Sequence, residues 1–269
     1  MNKNRFELWQ ILYPIAIYYV VMSLAYFGLE VILGATTAEN YMVRQLLSGA
    51  VTIPFLLRFY LSDKKLRDVV YGEKKFKLDG KQVKTILLTA ATAGAAGMAL
   101  NNVIAMTPMV ELSQGFQNAN ASFFGGEVLF QLLGSCIIIP IAEELVFRGV
   151  VYRRLRMHFD VTKALLISAV IFGIVHTNLV QFIYAALLGI LLAFLYEKSG
   201  FFYVPVLGHA AANTIAVLRT ATGWLSFSYE PTAAGIGVTL ALAAIAAVLV
   251  WYQVREYQAE LHPGKESVD

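Results

Sequence analysis

The chain carries little charge for its size. Of its 269 residues only 14% are charged, while 58% are hydrophobic; a soluble domain usually has about 25% charged residues. With a mean hydropathy of +0.63, this excludes an ordinary water-soluble domain and points to lipid as the main solvent. Cysteine is nearly absent. Cys136 stands alone in an apolar run, so no internal disulfide can form and cysteine usage is silent on redox compartment. A single thiol in that setting reads as a small buried hydrophobe before it reads as a nucleophile. The net charge is only +3, and the basic residues are segregated by segment, so no nucleic-acid partner is expected. There is no internal repeat, no low-complexity tail and no soluble domain. The expectation is one all-α integral membrane domain over residues 1–269.

A membrane-spanning helix needs about 20 predominantly apolar residues. Eight candidate runs are present: Ile11–Leu33, Met42–Leu61, Val83–Met106, Val128–Phe147, Ala164–His176, Gln181–Tyr196, Phe202–Leu218 and Ala233–Tyr252. The fifth and sixth are short and nearly continuous, which suggests that they do not cross fully. Lys3 and Arg5 precede the first run, which is longer than the apolar core of a signal peptide and reads as a retained anchor. Lys and Arg concentrate at the N-terminus, in Arg58–Lys84, in Arg148–Lys163, at Lys198 and in the tail at Arg255 and Lys265; only Arg44 and Arg219 fall in the intervening segments. The positive-inside rule then predicts about eight transmembrane helices with both termini cytoplasmic. The basic Arg58–Lys84 stretch reads as a large cytoplasmic loop lying on anionic headgroups. The third run is crowded with small residues, a sign of close helix packing. The expected setting is a cell membrane, with membrane lipid as a partner.

Ionisable residues inside apolar runs carry the information, because a charge at the bilayer centre costs about 2.5–3.5 kcal/mol even on the lenient scale. Three clusters stand out. Glu143 and Glu144 close a long apolar run and are followed by Arg148. Glu144 and Arg148 share a helical face and can pair, whereas Glu143 is rotated about 100° away and is left available for chemistry. His176 ends an otherwise apolar segment that begins its last turn at Phe172. His209 and Asn213 lie four apart on one face, beside Gly208 and three alanines. Each cluster alone has a bland explanation: an interfacial ion cluster, a hydrogen-bonded helix end, an interhelical polar pair. Together they are the parts for activating a water. Glu143, His176 and His209 could alternatively supply three ligands to a zinc ion with a fourth position for water.

At these positions the sequence resembles the CAAX protease and bacteriocin-processing family, also called the Abi family, which includes the eukaryotic Ras-converting endopeptidase that trims prenylated proteins. The family pattern EExxxR, FxxxH and HxxxN reads here as Glu143-Glu144-x-x-x-Arg148, Phe172-x-x-x-His176 and His209-x-x-x-Asn213, complete and in order. The resemblance covers roughly residues 128–218, the expected catalytic core. It implies an intramembrane endopeptidase acting on a membrane-associated protein or peptide, either with zinc or by a metal-free glutamate mechanism. It implies Glu143 as general base with His176, His209 and Asn213 at the scissile carbonyl, and Glu144, Arg148 and Phe172 in support. Glu143 is expected about one turn below the cytoplasmic surface, facing a polar cavity open to that side. The main alternative is a noncatalytic scaffold or immunity partner with the same fold. A proton-relay transporter would predict inverted repeats, which the sequence lacks. Substrate identity, prenylation and oligomeric state are not legible.

Overall fold

The computed structural model describes residues 7–71 and 75–262. Lys3, Arg5 and Lys265, which entered the topology reading, lie outside them. All regular structure among the described residues is helical. We number the helices of ten residues or more: α1 Trp9–Leu33, α2 Ala38–Tyr71, α3 Gly80–Ala105, α4 Gln114–Phe124, α5 Val128–Arg156, α6 Val161–Ile174, α7 Leu179–Ser199, α8 Tyr203–Thr222 and α9 Ala233–Leu261. Each of the eight apolar runs falls on one of these helices, and α4 is the addition. Five of them, α1, α3, α5, α7 and α9, are long and apolar enough to cross a membrane. The other four fall short for visible reasons: α2 carries a charged C-terminal half, α4 has 11 residues, α6 has 14, and α8 has His209, Asn213 and Arg219 among its apolar residues.

Several expectations are corrected. The basic stretch from Arg58 is not simply a loop, because α2 continues through it to Tyr71. Lys and Arg are good helix formers, Lys64 pairs with Asp68 one turn on, and Asp63 is clasped by Arg154 at 2.7 Å. The sixth run is not short: α7 has 21 residues. Its N-terminus is capped by the Asn178 side chain and its C-terminus by Gly200 in the left-handed conformation, a residue type that adopts this conformation freely. Its polar end is neutralised, with Glu197 paired to Arg153 and Arg156 and Lys198 paired to Glu256. Arg44 and Arg219 are not loop residues but are fully buried within α2 and α8. Arg44 donates to the carbonyls of Tyr26 and Gly34, and Arg219 to Asn102, Ser228 and the Leu225 carbonyl.

The ion pairs Asp63–Arg154, Glu197–Arg156, Lys84–Glu256 and Lys81–Glu260 join α2, α3, α5, α7 and α9. They bring the basic segments to one end of the bundle, as the alternation in sequence requires. The small residues of α3 sit where α8 crosses it: a Cβ on Gly97 would stand 3.0 Å from that of Ala212. The main apolar core lies among α1, α2, α5, α6 and α7, around Tyr18, Leu56, Phe147, Phe172 and Tyr196.

Helices α6 and α7 form a tight hairpin. Gly173 makes it possible, because a Cβ there would meet the Phe182 carbonyl oxygen at 2.9 Å and its ring at 2.8 Å. Backbone cannot yield cheaply, so Gly173→Ala is expected to destabilise the protein by about 1–3 kcal/mol. A lowered thermal unfolding midpoint in detergent checks this, and an unchanged midpoint contradicts it.

Candidate active site

The middle of α5 is not a regular α-helix. Residues Gly134–Ile138 and Leu145–Tyr152 are π-helical and flank the α-helical stretch Ile139–Glu144. Such widened turns are frequent at functional sites, and Pro140 accounts for the first of them. Proline has no N–H and its ring clashes with the carbonyl four residues back, so a wider turn accommodates it. The Ile139 N–H bonds to the Gly134 carbonyl. The next partner in that register would be Pro140, which cannot donate, so the Ser135 carbonyl is left without a helical partner. Asn213 fills the vacancy, its Nδ2 donating to that carbonyl at 2.7 Å. A proline on α5 thus dictates where the Asn213 amide of α8 docks.

The second π stretch turns Leu145 to Tyr152 so that every one of these residues is buried. Glu144 and Arg148 are fully enclosed, with Arg148 Nη1 donating to Glu144 Oε1 at 2.9 Å. Arg148 Nη2 donates to the Gly189 carbonyl on α7 at 3.2 Å, and the guanidinium lies over the Phe172 ring, 4.3 Å from its centroid. Gly189 is needed for this approach, since a Cβ would stand 3.1 Å from Arg148 Nη2. Phe172 in turn meets His176 edge-on at 4.9 Å and His209 at 6.0 Å between ring centroids. The aromatic ring is therefore the common wall between the two imidazoles.

Glu144 Oε1 also takes His209 Nδ1, at 2.9 Å. Because a carboxylate held by Arg148 can only accept, Nδ1 carries the proton and Nε2 is the free nitrogen. That nitrogen stands 3.9 Å from Glu143 Oε2, beyond a direct hydrogen bond and at a separation where a water or substrate atom can mediate. Glu143 is only partly buried, its side chain 16% exposed, and Tyr18, Tyr19 and Tyr41 of α1 and α2 lie within its electrostatic range.

His176 has a similar polarity. Its own N–H bonds to the Gly173 carbonyl, which frees the Phe172 carbonyl for the ring: His176 Nδ1 lies 2.7 Å from that oxygen. A carbonyl cannot donate, so here too Nδ1 carries the proton and Nε2 is free. The structure thus draws Glu143, Glu144, Arg148, Phe172 and His209 into one contact network, ties His176 to it through Phe172, and anchors Asn213 to the Ser135 carbonyl, about two turns before Glu143 on α5.

Arg148 is enclosed within the bundle, and the arginine cluster at the charged end of α5 begins at Arg153. Ten to thirteen residues separate Glu143 from the Arg153–Arg156 segment, roughly 15–20 Å at 1.5 Å per residue. The short α6 accounts for the meeting: starting from its Asp160 cap at the same charged end, its 14 residues span about 21 Å and deliver His176 to a comparable depth. An apolar groove of about 370 Å³ lies between Ile86 of α3, Cys136, Ile137 and Ile141 of α5, and Tyr203, Val206, Leu207 and Ala210 of α8, with none of the motif residues in its lining.

The zinc reading fares poorly on geometry. Among the described residues no three His, Cys, Asp or Glu side chains converge as a metal-holding group. Glu143, His176 and His209 therefore do not fit a three-ligand zinc site, and no chemical step is routed through one. Sequence reasoning missed Gly189 and Ser135. Pro140 inside an apolar run was the signal for Ser135; nothing local marks Gly189.

Fold and site together define a helical integral membrane protein with carboxylates and imidazoles gathered inside the bundle. Residues 125–215 match the family described as Rce1-like, type II CAAX prenyl endopeptidase Rce1-like. Over 91 residues the chain is 36% identical to a Bacillus subtilis (strain 168) protein named "Putative membrane peptidase YdiL". That match covers 34% of this chain and 37% of the relative, so the chain spans little more than a third of that relative's length. No solved structure matches the chain.

Proposed function

We propose that this protein is an intramembrane endopeptidase that hydrolyses a peptide bond of a membrane-associated protein or peptide by a metal-free, glutamate-dependent mechanism. One observation carries the reading: Glu144 holds His209 by Nδ1 and so directs Nε2 toward Glu143, 3.9 Å away. Glu143 takes a proton from water, and the hydroxide attacks the scissile carbonyl. The free His176 Nε2 assists in moving that proton to the leaving amine. His209, protonated at Nε2 by the proton that Glu143 took from water, and the second N–H of the Asn213 amide donate to the oxyanion until that proton passes to the leaving amine, an interaction worth about 3–4 kcal/mol per donor in a dry site. The apolar groove between α3, α5 and α8 accepts the hydrophobic part of the substrate. The membrane setting is a multi-pass one with the charged end of the bundle at the cytoplasmic face.

The test is incubation of the purified protein in lipid with candidate membrane peptides, with and without a chelator. Cleavage is expected to persist within about twofold under chelation and to fall by about 10²–10³-fold in His209→Ala, the range for losing one oxyanion donor. Loss of cleavage on chelation would replace the glutamate mechanism with a metal-dependent one. Absence of cleavage for every peptide, with a cellular phenotype untouched by Glu143→Ala, would support the scaffold.

A further inference from the structure

Thr177 has φ +62°, one of two non-glycine residues with positive φ among the described residues. A β-branched side chain disfavours that conformation strongly, and residues held in it cluster at functional sites. Thr177 follows His176 directly and is itself exposed, so no packing of its own side chain explains the strain. The surrounding bonds do. The Asn178 backbone N–H donates to the His176 carbonyl at 2.9 Å, and Asn178 Nδ2 donates to the same oxygen at 3.3 Å. Nδ2 also reaches Gln181 Oε1 at 2.5 Å, while Asn178 Oδ1 accepts from the Gln181 N–H at 2.9 Å as the cap of α7. On the other side the Tyr19 hydroxyl of α1 donates to the Val175 carbonyl at 3.4 Å.

Resting on the peptidase reading, we propose that Thr177 and Asn178 form a clip that positions His176. The left-handed residue reverses the chain at once after His176, so α6 ends at the depth of Glu143. The last turn tightens, with the N–H groups of His176 and Thr177 bonding three residues back to Gly173 and Ile174. That tightening is what frees the Phe172 carbonyl to accept from His176 Nδ1. Asn178 holds the reversed carbonyl in place. These are positioning residues, because neither is placed to touch the reacting atoms.

Asn178→Asp separates positioning from capping. The carboxylate keeps the acceptor for the Gln181 N–H, so α7 stays capped, but it cannot donate to the His176 carbonyl and faces it with like polarity. In ¹⁵N-histidine-labelled protein, at a pH where imidazole is neutral, wild-type His176 is expected as the Nδ1–H tautomer and Asn178→Asp as a mixture. On a cleavable membrane peptide the variant is expected to lose about 10–100-fold in kcat with KM within twofold, its unfolding midpoint being unchanged. Unaltered tautomer and kcat in a folded Asn178→Asp would overturn the clip. Should that variant not fold, Asn178→Ser takes the same measurements, since it retains a cap acceptor but has one proton for the two groups the amide now serves. If wild type cleaves nothing while the tautomer shifts as expected, the clip stands and the peptidase reading fails.

Discussion

Glu143→Gln is expected to fold as wild type and to cut kcat for peptide cleavage by about 10³-fold, within the range for losing a general base. The two halves of that expectation have separate grounds. Among the described residues Glu143 forms no ion pair with an arginine, and His209 Nε2 stands 3.9 Å from it. It is also partly exposed, so an isosteric neutral side chain disturbs no buried ion pair. The chemistry is different, because an amide cannot accept the proton of the attacking water. Thermal unfolding and steady-state cleavage of one membrane peptide check both halves. A folded variant that keeps more than about a tenth of wild-type kcat would remove Glu143 from the reaction.

The second large effect falls on stability. Arg148→Met should destabilise the protein by about 3–5 kcal/mol, since it leaves Glu144 buried without its cation. The methionine is close to the right length, so the loss reflects the unpaired carboxylate and the vacated Gly189 carbonyl more than a cavity. Replacing both partners, Glu144→Leu with Arg148→Met, should recover most of the stability, because a well-packed apolar pair of similar volume can equal a buried ion pair. Cleavage should not recover. His209 Nδ1 would have lost the acceptor that directs Nε2 toward Glu143. Denaturation in detergent gives the first result and kcat the second. Full recovery of both would assign the pair to folding alone.

How much of this the sequence disclosed follows from the range of each interaction. The helices were legible because apolar runs between polar segments report burial residue by residue, and the Glu144–Arg148 pair because it spans a single turn. That Glu144 and not Glu143 pairs with Arg148 followed from a 100° rotation, and it is Glu144 that Arg148 holds at 2.9 Å. Bonds between helices left no local trace: Glu144 reaches His209 across 65 residues. The widened turns of α5 were hidden because a short hydrophobic pattern does not distinguish hydrogen bonds reaching four residues back from bonds reaching five, although Pro140 hinted at one. Arg44 and Arg219 were misplaced because counting charges by loop treats every arginine as solvated, whereas these two satisfy backbone carbonyls inside the bundle. The enclosure of Arg148 was hidden in the same way, since the sequence placed it with the solvated charges whereas it is fully buried.

Groups that act as one unit in a reaction give grossly non-additive losses, and the central claim is that Glu143 and His209 form such a unit. The most direct measurement is a double-mutant cycle on kcat for one membrane peptide, with Glu143→Gln, His209→Ala and the two combined. The combined variant is predicted to be no slower than Glu143→Gln alone, within about threefold. Losses that multiply in full would mean that the two side chains serve separate purposes.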